Sequence, residues 1–396
     1  MAPVAGGLIR DGFVRFQTDR ILTIGRESEL SGVVDDVLDL GEALITPGLV
    51  NPHTHLELGC YAGMFSPGPF WPWITRLARI RAEPGRLDQE QAAAEEWGWR
   101  SLRSGVTCVG DISRANVAWR SLKSVPIRKV CFVELLSRAS VPPRNPAELR
   151  EQVALVEEDE LLTVGVTPHA PYTVPEPEIR AAIALADELD LPWTTHWAET
   201  AEEVQFLAGQ RAALPEMLRR ALAQCGVDSP RLRPIEYLNR CGEGLSAGAL
   251  AHVNYIANEE LDALARSGHT VVYCPRAHHF FGHTPHPLPR LRAAGVPVAL
   301  GTDSPASNDG VSMLAELHHV WKHVGDPPSF PELLRMATLD AARALRLERS
   351  IGSLEPGKQA DVAAWECRPD ESAPLRAWIE SPASPLGVWV SGRRVV

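Results

Sequence analysis

A (β/α)8 TIM barrel carrying a small β-sandwich domain built from both termini is the α/β architecture this sequence predicts. Three observations predict it. Short β-branched runs alternate with helix-like stretches, polar residues stand at the ends of those runs, and a different short-strand texture occupies each end of the chain. The candidate strands are residues 43–55, 106–112, 129–136, 163–168, 191–197, 249–253, 270–274 and 297–301. Between them lie stretches rich in Ala, Leu, Glu and Arg, so the rhythm is β then α over roughly 300 residues, the size of one barrel. An open doubly wound sheet is the competing arrangement. No glycine-rich phosphate fingerprint follows the first strand, which counts against it.

Residues 1–42 give short strands such as Phe13-Val14-Arg15-Phe16 and Ile21-Leu22-Thr23-Ile24. The same texture returns after Ile351, in Asp361-Val362-Ala363-Ala364-Trp365 and Gly387-Val388-Trp389-Val390. Chain ends commonly meet in space, so both belong to one small β domain. The expected division is 1–48 and 351–396 for that domain, with the barrel over 49–350. Two connections are longer than a barrel needs, residues 56–105 and 200–248. Long loops at the C-terminal mouth shape the substrate pocket. The first holds Phe70-Trp71-Pro72-Trp73-Ile74, expected mainly to pack as a lid, with one aromatic facing the ligand.

Composition narrows the function. The chain has 396 residues, 45% hydrophobic and 22% charged, as in an ordinary soluble globular protein. A net charge of -11, with no basic block, argues against a nucleic-acid partner. No apolar stretch approaches a membrane span, and the first residues lack the pattern of a secretory signal. Seven cysteines are scattered without a C-x-x-C pair. A reduced, cytoplasmic protein is therefore expected. A homodimer is the default assembly, on the frequency of such dimers alone.

The chemistry begins at His53-Thr54-His55, at the end of the first barrel strand. Residues two apart on a strand share a face, so the two imidazoles form half of a metal site. The fourth strand runs into His169. The fifth carries His196 and continues to Glu199, the sixth ends near His252, and the eighth runs into Asp303. Polar residues at one rim of a barrel face its active site, whereas a single strand histidine is ordinarily a satisfied core residue. His53, His55, His196 and Asp303 are assigned as ligands of one divalent ion, Zn2+ by preference, with Fe2+ or Mn2+ as alternatives. The fourth-strand segment offers no lysine to be carbamylated, so a bridged pair of metals is not expected. Such an ion lowers the pKa of a bound water to about 7. Glu199 is placed to move protons, although an acid there, followed by Glu202 and Glu203, also suits the start of a helix. His252 is assigned to orient the attacking oxygen. The closely spaced histidines 278, 279, 283 and 286 need not converge, and no second metal is assigned to that loop.

Together these residues resemble the amidohydrolase superfamily along nearly the whole chain. Thr46-Pro47-Gly48-Leu49-Val50-Asn51-Pro52-His53-Thr54-His55 and Gly352-Ser353-Leu354-Glu355-Pro356-Gly357-Lys358-Gln359-Ala360-Asp361 look like its flanks of the barrel. His196-x-x-Glu199 and His169-Ala170-Pro171-Tyr172-Thr173 resemble the mononuclear deaminase and chlorohydrolase branch. The short His55-Leu56-Glu57 start is most like aminodeoxyfutalosine deaminases of menaquinone synthesis. The histidine-rich loop after Cys274-Pro275-Arg276 departs from that pattern. The resemblance implies hydrolytic deamination of a 6-aminopurine nucleoside, with S-adenosylhomocysteine, methylthioadenosine and adenosine as alternative substrates. It also places His169 near the nucleoside and makes Glu57 a candidate for the ribose. A substrate carboxylate calls for a cation, and Arg138 and Arg144, just beyond the third strand, are the candidates. Hydrolysis of a cyclic amide or displacement of halide from a triazine-like ring could use the same site. A metal-binding scaffold without activity should have lost a ligand or Glu199, and none is missing.

Overall fold

The computed structural model describes residues 1–30, 36–137, 141–224, 228–366 and 373–396. Its strands are β1 (Gly12–Gln17), β2 (Arg20–Arg26), β3 (Ala43–Pro47), β4 (Leu49–Thr54), β5 (Val106–Ser113), β6 (Arg128–Leu135) and β7 (Leu162–Pro168). They continue with β8 (Thr194–Trp197), β9 (Ala249–His252), β10 (Thr270–Tyr273), β11 (Val298–Leu300), β12 (Val362–Glu366), β13 (Pro385–Val390) and β14 (Arg393–Arg394).

β4 to β11 form the (β/α)8 barrel. β4-β5-β6-β7 and β8-β9-β10-β11 are two parallel four-stranded arcs. Parallel bridges between Val166 and Trp193 and between Thr54 and Asp303 join them. Every residue of β5 and β6 is buried, as expected of strands covered on both faces. Lys129 belongs to this buried set, and its ammonium donates to the carbonyls of Leu122 and Val125 at 2.8 and 2.9 Å.

The apolar run at residues 43–55, expected as one strand, is two. β3 leaves it to pair antiparallel with β12, while β4 opens the barrel. The break falls at Gly48, where a Cβ would lie 2.1 Å from the Thr107 hydroxyl. Only glycine lets the chain cross from one sheet to the other so close to β5. The small domain stacks the β1–β2 hairpin on the sheet β14-β13-β12-β3, around Ile21, Leu354, Ala360, Val362, Ala364 and Trp389. Gly105, at φ +85°, admits the Trp365 ring of β12 against the barrel. Cys108, Cys131, Cys241 and Cys274 are buried free thiols and Cys60 is a half-buried one, whereas Cys225 and Cys367 lie outside the described residues. Among the described residues no helix is long and apolar enough to cross a membrane.

One ion pair fastens the two parts. Arg128, at the start of β6, reaches Asp361 at 3.1 and 3.3 Å and donates to the Ser391 hydroxyl at 2.9 Å. The Ser391 amide donates to the same carboxylate at 2.8 Å. The pair is buried, so removing one partner strands the other away from water. Arg128→Met is expected to lower the unfolding free energy by about 3–5 kcal/mol, measured by urea denaturation against the parent chain.

Candidate active site

The strand ends bring His53, His55 and His196 together so that one ring nitrogen from each lies within 4.8 Å of the others. Their ring centroids are 5.2, 5.0 and 5.4 Å apart. An Asp303 carboxylate oxygen stands 3.8 Å from His53 Nε2 and 3.7 Å from His55 Nε2. Barrel closure delivers that carboxylate: the amides of Thr302 and Asp303 donate to the His53 carbonyl at 3.3 and 3.1 Å. Asp303 takes a left-handed φ of +56°, and Ser307 donates to its outer oxygen at 3.0 Å.

The donor set fits a divalent ion. Neither ring nitrogen of fully buried His53 has a hydrogen-bond partner, an expensive state for a polar group that binds nothing. His196 Nδ1 lies 3.0 Å from the His169 carbonyl, which fixes the proton there and leaves Nε2 as a ligand. Burial holds His53 and His55 well below the usual imidazole pKa and His196 down at about 4, so all three present the neutral, ligating form.

Glu199 stands on the loop after β8, with Oε1 3.5 Å from His252 Nε2. The helix-start role weighed for Glu199 belongs instead to Glu203. Its carboxylate accepts the amides of Ala198 and Glu199 at 2.7 and 2.9 Å, and Thr200 caps the helix Ala201–Leu207. Asn254 donates to the Glu199 carbonyl at 2.9 Å. The carboxyl of Glu199 is thereby left free of backbone duties. Burial pushes its pKa well above the ordinary carboxyl range, and Asp303 and Glu203 add to the shift.

His169 lies beside His196, their centroids 4.8 Å apart, and its Nδ1 is 2.7 Å from the Thr173 hydroxyl. Glu134, from the end of β6, shares this corner: its carboxylate is within 4.8 Å of ring nitrogens of His169 and His196. Burial pushes its pKa up to about 7. Sequence reasoning missed Glu134. Its signal was a carboxylate inside the apolar run Cys131-Phe132-Val133-Glu134-Leu135, at a barrel strand's C-terminal end.

Glu57 is fully buried. One oxygen pairs with Arg81 and accepts the Arg114 amide at 3.1 Å, while the other has no partner. Glu90 anchors this group, accepting from Arg81, Arg114 and the Tyr61 hydroxyl at 3.0, 2.8 and 2.7 Å. The arginines fare differently. Arg144 is 50% exposed and spends its guanidinium on Glu148 at 2.8 and 3.1 Å, so the structure does not bring it to a substrate carboxylate. Arg138 lies outside the described residues.

The aromatic segment after β4 packs as a lid on the histidine-rich segment. Phe70 and Trp73 meet Phe281 at 5.3 and 5.0 Å, and Trp71 meets Tyr172 at 5.1 Å. The Trp71 indole nitrogen is buried without a partner. His286, stacked on Tyr273 at 3.7 Å, has its Nε2 3.0 Å from the His252 carbonyl. Nε2 of His278 and of His283 is buried without a partner nearby.

A barrel with three neutral histidines and an aspartate at its C-terminal mouth is the frame of a metal-dependent hydrolase. The pattern of the Amidohydrolase family matches residues 44–395, and the chain belongs to that family of metal-dependent enzymes, as an aminohydrolase. It is 30% identical over 395 residues to a 5-methylthioadenosine/S-adenosylhomocysteine deaminase of Nitratidesulfovibrio vulgaris, covering 96% of this chain and 83% of that one. Among solved structures it is similar to a zinc-bound adenosine deaminase from Xanthomonas campestris, at TM-score 0.81 and 26% identity, covering 97% and 88% of the two chains. The fold is also that of Helicobacter pylori aminofutalosine deaminase in complex with methylthio-coformycin, at TM-score 0.85 and 22% identity, with 98% and 95% covered.

Elemental analysis of tag-free protein after gel filtration is expected to give one tightly held divalent ion per chain, and His55→Ala or His196→Ala to abolish it. Zinc at about 100 times its dissociation constant should add about 2.7 kcal/mol to the stability of the metal-free parent and nothing to the His55→Ala variant.

Proposed function

We propose that this chain hydrolytically deaminates a 6-aminopurine nucleoside, exchanging the C6 amine for oxygen with release of ammonia. The observation that carries the reading is the buried, backbone-free Glu199 carboxyl facing His252 beside the three-histidine cluster. His53, His55, His196 and Asp303 would hold the metal, which when bound supplies the Lewis acidity that makes a water nucleophilic at neutral pH. The raised pKa of Glu199 leaves it a proton to give to purine N1 as C6 is attacked. His252, neutral through burial, accepts a hydrogen bond from the incoming water or donates one to the oxygen at C6. Asp303 takes one proton of the water and passes it to the amine, which leaves as ammonia. The second water proton restores Glu199, so one proton ends on N1 and one on ammonia.

The sugar side of the reading uses carboxylates. The unpartnered Glu57 oxygen and the His169–Glu134 corner offer acceptors for ribose hydroxyls. Within the adenine nucleosides we place 6-amino-6-deoxyfutalosine, a precursor in menaquinone synthesis, first. The short His55-Leu56-Glu57 start supports it, and the aromatic lid suits an aryl group at the 5′ end. The test is a panel of that compound, S-adenosylhomocysteine, methylthioadenosine and adenosine, followed by the adenine-to-hypoxanthine absorbance change and by ammonia. Turnover of none of them by metal-loaded protein overturns the reading, and equal turnover of all overturns the preference.

Glu199→Gln should keep its metal and lose turnover by about 10²–10⁴-fold, the range for a lost general acid. His286 provides a second check. His252 sits at φ +75°, a conformation that costs a non-glycine residue of order 1–3 kcal/mol. The His286 ring donates to its carbonyl and holds it there. His286→Phe keeps the stacking on Tyr273 without the donor and should lower kcat with little change in KM. His286→Gln restores a donor and should recover part of that loss.

A further inference from the structure

A second histidine group lies on the outside of the barrel, on the helix Met313–His323 and the helix Pro275–Phe280. His319 and His323 are four residues apart, so they lie on one face of their helix. Their ring centroids are 4.4 Å apart. His279, exposed on the neighbouring helix, lies 5.3 Å from His319 and 6.0 Å from His323. These spacings straddle the 5.0–5.4 Å of the His53, His55 and His196 rings. The three rings lie near one another without the convergence of the inner cluster, whose ring nitrogens come within 4.8 Å. His279 and His323 are exposed, so that side-chain rotation can bring them toward a common point with His319.

We propose that His279, His319 and His323 form a second, peripheral site for a divalent transition ion such as Zn2+, Ni2+ or Cu2+, with water completing the coordination. Three imidazoles select that class over Mg2+ and Ca2+, which take oxygen ligands. The surroundings leave the site available. His318 is committed elsewhere, with Nδ1 2.9 Å from the Ile379 carbonyl. The Arg276 guanidinium, whose charge is felt at His319, is paired with Asp309 and lies 3.8 Å from Glu316, which offset it. Lys322 is exposed and free to swing into solvent. His279 joins the other two from a different helix, so spacing within the loop at 278–286 carried no sign of the group.

A bound ion here would cross-link the helix that follows β10 to the helix that follows the Asp303 loop. Both are tied to the backbone next to Asp303. The Arg276 amide donates to Glu316 at 3.0 Å, and Asn308 joins Glu316 to the Thr302 carbonyl at 2.7 and 3.0 Å.

The experiment titrates Ni2+ by calorimetry into tag-free protein whose inner site is already loaded with zinc, so its outcome does not depend on the reaction catalysed. The parent chain is expected to take up one further equivalent. His319→Ala/His323→Ala should weaken that uptake at least about tenfold, or about 1.4 kcal/mol, and keep the tightly held zinc. His323→Ala alone, at an exposed position, should weaken it too and guards against a folding defect in the double variant. Absence of a further equivalent in the parent, or its unchanged affinity in both variants, overturns the proposal.

Discussion

Closure of the barrel between β4 and the segment after β11 is the constraint on which the site depends. The His53 carbonyl accepts two amides across that seam, and the bridge between Thr54 and Asp303 sets the register. Asn51 and Thr302 reinforce it one step deeper, at 2.8 Å between side chains. A slip of one residue on either side would turn His53 and His55 to the opposite face of the strand. The carboxylate comes from the last strand and the first two imidazoles from the first. The cluster of three histidines and Asp303 therefore exists only when the whole sheet has closed, and neither arc alone supplies all four side chains.

The second constraint is electrostatic. Three carboxylates, Glu199, Glu203 and Asp303, and four imidazoles, His53, His55, His196 and His252, are gathered at one rim of the barrel with little exposure to water. Burial drives the first group toward the protonated form and the second toward the neutral one. The imidazoles are thereby neutral, while Asp303, at about 6, keeps its charge at neutral pH. Glu203 holds the loop by its backbone, which frees the Glu199 carboxyl from capping. Left-handed residues, Ala198, His252 and Asp303, lie at three strand ends of this rim. Such backbone is costly outside glycine and persists where surrounding bonds over-determine it.

The barrel and the inner cluster were legible because strand periodicity and strand ends are local signals. His53 and His55 are two apart, and each of His196, His252 and Asp303 closes or follows its own short strand-like run. What local patterns could not carry was competition among partners. Arg144 stands just beyond the third strand, as a carboxylate binder should, but Glu148 lies one helical turn onward and takes its guanidinium. Glu134 hid in an apolar run because a buried carboxylate is recognisable only once His169 and His196 are seen beside it. The single strand expected at 43–55 divided at Gly48 because the crowding there comes from Thr107, in another strand.

The two sides of the pocket are built on different principles, and this bears on how substrate choice is made. The metal side rests on strands and a closed sheet, with hydrogen bonds that fix each ring. The side around Glu57 rests on the connection after β4, where Arg81 pairs with both Glu57 and Glu90 while Arg114 gives its side chain to Glu90 and its amide to Glu57. Glu57 keeps one oxygen unpartnered in a buried position, with its pKa pushed up to about 7 by burial. A ligand hydroxyl that donates to that oxygen stabilises the ionised form and relieves an unsatisfied acceptor, whereas a ligand lacking it leaves the group stranded. On the proposed reading, discrimination among nucleosides would lie in the lid and the Glu57 group, and the reaction in the strand ends, which can remain unchanged while the lid varies.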